Sequence, residues 1–111
     1  MLYRKSKNYG CESVEIMTPE AKVKAKVRKI LDIIGCYYFF PQTGGYGSSG
    51  VPDIVICHQG KFIGIECKAG SNKPTELQKH NLDLIRKNKG LAMVVNESNI
   101  DELVTIMKGI K

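Results

Sequence analysis

The sequence predicts an α/β domain whose elements run helix, strand, strand, strand, helix, strand, helix. Three observations carry this. Two stretches, Thr18 to Gly35 and Thr75 to Gly90, repeat apolar residues at helical spacing between start and stop signals. Between them, Asp53 to Lys68 is rich in Ile, Val and Phe on either side of a glycine-containing break, the pattern of strand, tight turn and strand. Beyond the second helix, Leu91 to Val95 is a short unbroken apolar run, typical of a buried strand.

With 111 residues the chain suits one domain built on a single modest core. Residues 1–17 read as an arm and residues 18–111 as the domain, with no internal repeat, low-complexity segment or linker. Lys and Arg outnumber Asp and Glu by 17 to 11, giving a net charge of +6. That excess suits a polyanionic partner without requiring one. No apolar run approaches membrane-spanning length, and the opening MLYRKSKNYG lacks the apolar centre of a secretion signal, so a cytosolic protein is expected. Cys11, Cys36, Cys57 and Cys67 show neither paired nor zinc-like spacing. They are expected to be reduced, buried thiols acting as small apolar groups.

Taken in order, the arm interleaves Arg4, Lys5 and Lys7 with Tyr3 and Tyr9, a composition that suits either a nucleic-acid contact or a plain solvated segment. Thr18 is the N-cap of the first helix, Pro19 its first residue and Glu20 an acid in its first turn. Val23, Val27, Ile30, Leu31 and Ile34 form the inner stripe, and Gly35 stops it. Lys22, Lys24, Lys26, Arg28 and Lys29 form the outer face, equally readable as solvated or as facing DNA. Cys36 to Phe40 reads as a strand buried on both faces, ended by Pro41. Gln42 to Gly50 is glycine- and serine-rich, so its backbone can approach phosphates closely. It lacks the sequence of a nucleotide-binding loop, and no nucleotide cofactor is expected.

Two hydrophobic strands flank His58-Gln59-Gly60. If Gln59 and Gly60 form a two-residue loop, Cys57 faces Phe62, Val55 faces Gly64, and Asp53 faces Glu66. Gln59 is a poor residue for positive φ, and a three-residue loop with a bulge would make the acids diagonal neighbours instead. Period-two alternation puts Lys68 on the face of Glu66, and the small Gly64 leaves open space between these and Phe62. Carboxylates about 5 Å apart repel by roughly 3 kcal/mol at an effective dielectric near 20, so a cation beside them is expected. Lys68 supplies one charge, and a divalent metal would supply more. Oxygen ligands favour Mg²⁺, with Mn²⁺ as a substitute. An Asp at a strand start and an exposed Glu/Lys pair on an edge strand explain the same residues without any metal.

Downstream, Ala69 to Pro74 is a polar loop containing Lys73. Thr75-Glu76-Leu77-Gln78 fits a capping box, in which Gln78 reaches back to the cap. Leu77, Leu84 and Ile85 are the expected buried stripe of this helix, which Gly90 ends. Asn99-x-x-Glu102 caps the last helix, with Ile100, Leu103, Val104 and Met107 facing inward.

Asp53 after Pro52, followed by Glu66-Cys67-Lys68, resembles the PD-(D/E)XK nuclease superfamily. Gly50-Val51-Pro52-Asp53 with the later Gln78 resembles its VRR-NUC branch, in the stand-alone, phage-like form. The resemblance runs from about Glu20 to Val95. It implies a restriction-endonuclease-like core, a central mixed β-sheet flanked by helices, which the element order matches apart from the final helix. It further implies a metal-dependent DNA nuclease that leaves a 5′-phosphate and a 3′-hydroxyl. Asp53 and Glu66 would bind Mg²⁺, with Glu20 and the Cys67 carbonyl adding oxygens. Lys68 would orient the attacking water, and Gln78 would stand near that water or the phosphate. Gly44, Gly45, Tyr46, Ser48, Ser49 and Lys73 are the expected DNA contacts. Stand-alone members look like junction-resolving enzymes, so branched DNA of the Holliday-junction type and a homodimer are expected, in the host cytoplasm if the chain is viral. The alternative is a non-catalytic nucleic-acid-binding module on the same fold.

Overall fold

The computed structural model describes residues 17–42 and 50–111. The arm (apart from Met17), Cys11 and the loop residues Gly44, Gly45, Tyr46, Ser48 and Ser49 lie outside the described residues. The elements appear in the expected order: α1 (Pro19–Ile34), β1 (Tyr37–Phe39), β2 (Ile54–His58), β3 (Lys61–Cys67), α2 (Glu76–Lys87), β4 (Leu91–Val95) and α3 (Ile100–Lys108). The strands form one mixed sheet in the order β1-β2-β3-β4, antiparallel except for the parallel pair β3 and β4.

Helix α1 is bounded as its sequence dictates. The Thr18 hydroxyl accepts from the Ala21 amide at 3.1 Å, and Gly35 closes the helix at φ +82° by donating to the Leu31 carbonyl. Its buried residues Val23, Val27 and Leu31 pack with Leu103 and Met107 of α3 on the sheet face built by Ile54, Ile56, Ile63, Ile65, Cys67 and Val95. Helix α2 packs over β3 and β4. Its capping box is complete: the Gln78 amide donates to the Thr75 hydroxyl, and the Thr75 amide donates to Gln78 Oε1 at 2.8 Å.

The hairpin has the two-residue loop. Val55 pairs with Gly64, Cys57 with Phe62 and His58 with Lys61. Gln59 and Gly60 both take positive φ, +52° and +78°, as a turn matching the strand twist demands. Gln59 therefore accepts the left-handed conformation for which its side chain is ill suited. Gly64 does not leave open space. A Cβ there would lie 2.6 Å from Ile85 Cδ1 and 3.0 Å from Pro52 Cγ, so the missing side chain lets α2 settle onto the sheet.

Four expectations about packing are corrected. Strand β1 is a sheet edge, and its alternate residues Tyr37 and Phe39 are exposed while Tyr38 packs its ring against the core and donates its hydroxyl to Asp32 at the surface. On α2, Leu77 and Leu84 are exposed and Leu82 is buried, because the helix overlies β3 and β4 and leaves β1 and β2 uncovered. Strand β4 is the other edge, buried fully only at Val95. Asn99 does not cap α3 with its side chain, which instead accepts from the Asn96 amide and donates to the Val94 carbonyl, tying the helix start to the end of β4. Of the described cysteines, Cys67 is buried, Cys36 half-buried and Cys57 exposed on the uncovered face; all are free thiols.

Candidate active site

The end of the hairpin remote from its turn gathers two acids and two lysines. Asp53 immediately precedes β2, at the position that continues the register opposite Glu66. Its Oδ2 accepts from the Cys67 amide at 2.8 Å, which fixes the carboxylate against the end of β3. Glu66 is 2 % exposed, the one buried charged side chain among the described residues. Its Oε2 lies 3.8 Å from Lys68 Nζ, and its Oε1 is buried without a hydrogen-bond partner. Lys68 extends the sheet by donating its amide to the Val95 carbonyl, so the ammonium leaves a fixed piece of backbone and its side chain is only 12 % exposed.

These surroundings push the Glu66 carboxyl up to about 8. Burial is the largest cause, followed by the charge of Asp53 beside it and a side-chain hydrogen bond with Asp53; Lys68 offsets part of the rise, and Glu20 adds to it. Burial, then the charge of Asp53, likewise pushes the Cys67 thiol up to about 12, so that sulfur stays protonated.

The second lysine is Lys24, from α1. Its Nζ lies 3.5 Å from Asp53 Oδ1. The sequence pattern put it on the outer face with Lys22, Lys26, Arg28 and Lys29, and those four are indeed exposed, whereas Lys24 is half-buried. The overlooked signal was its spacing. Lys24 follows Glu20 by four residues, one turn, and so shares its side of the helix; it also adjoins Val23 on the flank of the buried stripe, where a long stem reaches past the core to the sheet end.

The other expected residues are less closely joined. Glu20 is half-buried in the first turn of α1, and its charge is felt at both Glu66 and Cys67. Gln78 is half-buried, its Oε1 committed to the cap. Lys73 is exposed in the loop before α2. Among the described residues, no three of His, Cys, Asp and Glu are grouped closely enough to hold a metal ion. The two carboxylates nevertheless have the chemistry of a hard-cation site. Mg²⁺ commonly takes one or two carboxylates and keeps several waters, and the buried Glu66 Oε1 has no hydrogen-bond partner in the fold.

No family model and no curated protein matches the chain. Among solved structures, one titled "VRR_NUC domain protein" matches with a TM-score of 0.60 at 19 % identity, covering 82 % of this chain and 86 % of that one. At the level of fold, the α/β arrangement is that of a VRR_NUC domain. No helix among the described residues is long and apolar enough to cross a membrane.

Proposed function

We propose that this domain is a metal-dependent nuclease that hydrolyses DNA phosphodiester bonds. One observation carries the reading: a buried glutamate sits beside Asp53 and within reach of Lys68, two acids so close that Glu66 holds its proton unless a cation takes the proton's place. The name of the structural neighbour, VRR_NUC, supports it. Asp53 and Glu66 would hold Mg²⁺ or Mn²⁺, with Glu20 binding directly or through water and the Cys67 carbonyl adding an oxygen. The ion, when bound, supplies Lewis acidity at the phosphate and a more acidic water. Lys68 orients the attacking water and offsets charge that builds on the phosphate oxygens, its position set by the backbone of the β3 end. Gln78, whose carbonyl oxygen holds the helix cap, would stand near the attacking water or the phosphate. Lys22, Lys26, Arg28 and Lys29 on the exposed face of α1, together with Lys73 and the glycine-rich loop, supply phosphate contacts.

The substrate we propose is branched, of the four-way type, and the active unit a homodimer, which makes two matched cuts with one gene product. An apolar face supports the second copy. Tyr37, Phe39, Phe62, Leu77 and Leu84 are exposed, and a groove of about 540 Å³ runs among Phe39, Pro52, Val55, Phe62, Leu84 and Ile85. Those five side chains expose on the order of 500 Å² of apolar surface, given 150–250 Å² for a whole aromatic side chain. That is more than half of the roughly 800 Å² each partner contributes to a standard interface. This exposed face, from the edge strand β1 to Leu84 of α2, is therefore the dimer surface we propose.

The deciding experiment is cleavage of linear, flapped and four-way DNA with Mg²⁺, Mn²⁺ or EDTA, by the parent chain and by Asp53→Ala and Glu66→Ala. Loss of cleavage with DNA binding nearly intact is expected of both variants. Cleavage by Asp53→Ala within threefold of the parent refutes the site. One observation favours a second reading, a non-catalytic nucleic-acid-binding module: Lys24 Nζ, 3.5 Å from Asp53 Oδ1, offsets the charge of that acid. Under that reading the parent binds DNA and cuts nothing in either metal.

A further inference from the structure

The Lys24 to Asp53 contact has no place in the reading above, in which Asp53 is a metal ligand. We propose that Lys24 is a placeholder cation: it holds Asp53 while no divalent ion is bound, and transfers its ammonium to a DNA phosphate once an ion takes Asp53 Oδ1. The inference rests on the nuclease reading and deepens it.

The geometry supports a group meant to leave. Both oxygens of Asp53 are engaged, Oδ2 by the Cys67 amide and Oδ1 by Lys24 at 3.5 Å. The first contact comes from backbone at the end of a strand and is fixed with the sheet. The second comes from a flexible four-carbon stem on another element, with 36 % of the side chain exposed. A cation that ligates Oδ1 competes with the ammonium for that oxygen, and of the two partners of Asp53 the lysine is the one free to move. An ion pair this exposed is weak and breaks at little cost. Lys68 is placed differently, being 12 % exposed beside Glu66, and has no comparable freedom.

The released ammonium has a destination. Lys24 rises from the turn of α1 after Glu20, on the side of the helix that meets the two acids, and its neighbours Lys22, Lys26 and Arg28 already make that helix cationic. A phosphate drawn to a bound divalent ion would meet a lysine stem that is 36 % exposed and free to turn. Lys24 would thus be a positioning residue whose charge serves the carboxylate while no divalent ion is bound and the substrate once one is.

The test measures binding, with no turnover needed. Mn²⁺ titration by calorimetry is run on the parent, Lys24→Ala, and Lys108→Ala as a control that removes an equal charge from an exposed position on α3. Lys24→Ala is expected to bind Mn²⁺ about 2- to 5-fold more tightly, the competition with a surface ion pair having been removed. Lys108→Ala should stay within about 1.5-fold of the parent. Junction DNA binding is then measured in Ca²⁺ and in EDTA over a range of salt. In Ca²⁺, Lys24→Ala should lose affinity and its salt slope should fall by about 1; in EDTA both should match the parent. Unchanged or weaker Mn²⁺ binding by Lys24→Ala overturns the placeholder role while the nuclease reading stands. An unchanged salt slope in Ca²⁺ overturns the transfer to phosphate, and with it the proposal. A parent chain that binds no Mn²⁺ overturns both readings together.

Discussion

In the metal-free fold Glu66 keeps its proton up to about pH 8, whereas the same carboxyl in an unfolded chain releases it near 4.5. Between those values the folded state binds more protons than the unfolded one, so the free energy of unfolding falls as pH rises. The stability associated with a neutral Glu66 is complete below about 4.5 and has been lost once the pH passes about 8. A gap of about 3.5 pH units, at roughly 1.4 kcal/mol for each, sets a ceiling of roughly 5 kcal/mol. That is a large part of the 5 to 15 kcal/mol by which domains are commonly stable. Glu66→Gln removes the titration and preserves the shape. Urea unfolding of both proteins in EDTA at pH 5, 7 and 9 should show the parent losing a few kcal/mol more than the variant across that range. Titrating groups that do not interact with Glu66 are common to the two chains and cancel in the difference, so the comparison reads Glu66 together with the acid coupled to it. Millimolar Mg²⁺ at pH 8 should then stabilise the parent and leave Glu66→Gln nearly unmoved. Parallel curves, within about 0.5 kcal/mol from pH 5 to pH 9, would refute the claim that this carboxylate is buried beside a second acid without sufficient compensation.

Lys68→Ala should slow cleavage by about 10²-fold or more and still bind Mn²⁺ in calorimetry, as befits a group that stabilises charge instead of holding the ion. Thr75→Ala and Gln78→Ala each break the capping box and should each cost about 1 kcal/mol in thermal unfolding; if Gln78 also serves the site, only its variant slows cleavage beyond the loss they share. Gly50 sits at φ +80°, where a Cβ would lie 2.9 Å from the Leu77 backbone. Gly50→Ala should therefore destabilise the domain by about 2 kcal/mol or more in urea, through left-handed strain and a clash that backbone cannot relieve. Leu31→Ala, at a fully buried position, should cost about 2 to 5 kcal/mol by the same measurement.

Local chemistry made much of this protein legible from its residues alone. Thr18, Pro19 and Gly35 bound α1, and Thr75 with Gln78 opens α2, because caps depend on groups within a few residues of each other. For the hairpin, period-two alternation left two registers open, and the two-residue loop that the fold adopts is the one that aligns Asp53 with Glu66. What a strand or helix meets on its other side was decided only by the tertiary fold. The aromatic run at Cys36 to Phe40 has the composition of a central strand, yet its place at the sheet edge leaves Tyr37 and Phe39 bare. Leu77, Leu82 and Leu84 are equally apolar, and only the position of α2 over β3 and β4 selects Leu82 for burial. Lys24 shows the same division at the site itself. Its spacing from Glu20 is written in the chain, but its reach to Asp53, 29 residues further along, exists only because α1 crosses the end of the hairpin. Periodicity assigns a residue to a side of its own element; the packing angle between elements, set by the shapes of many side chains at once, decides which distant group it touches.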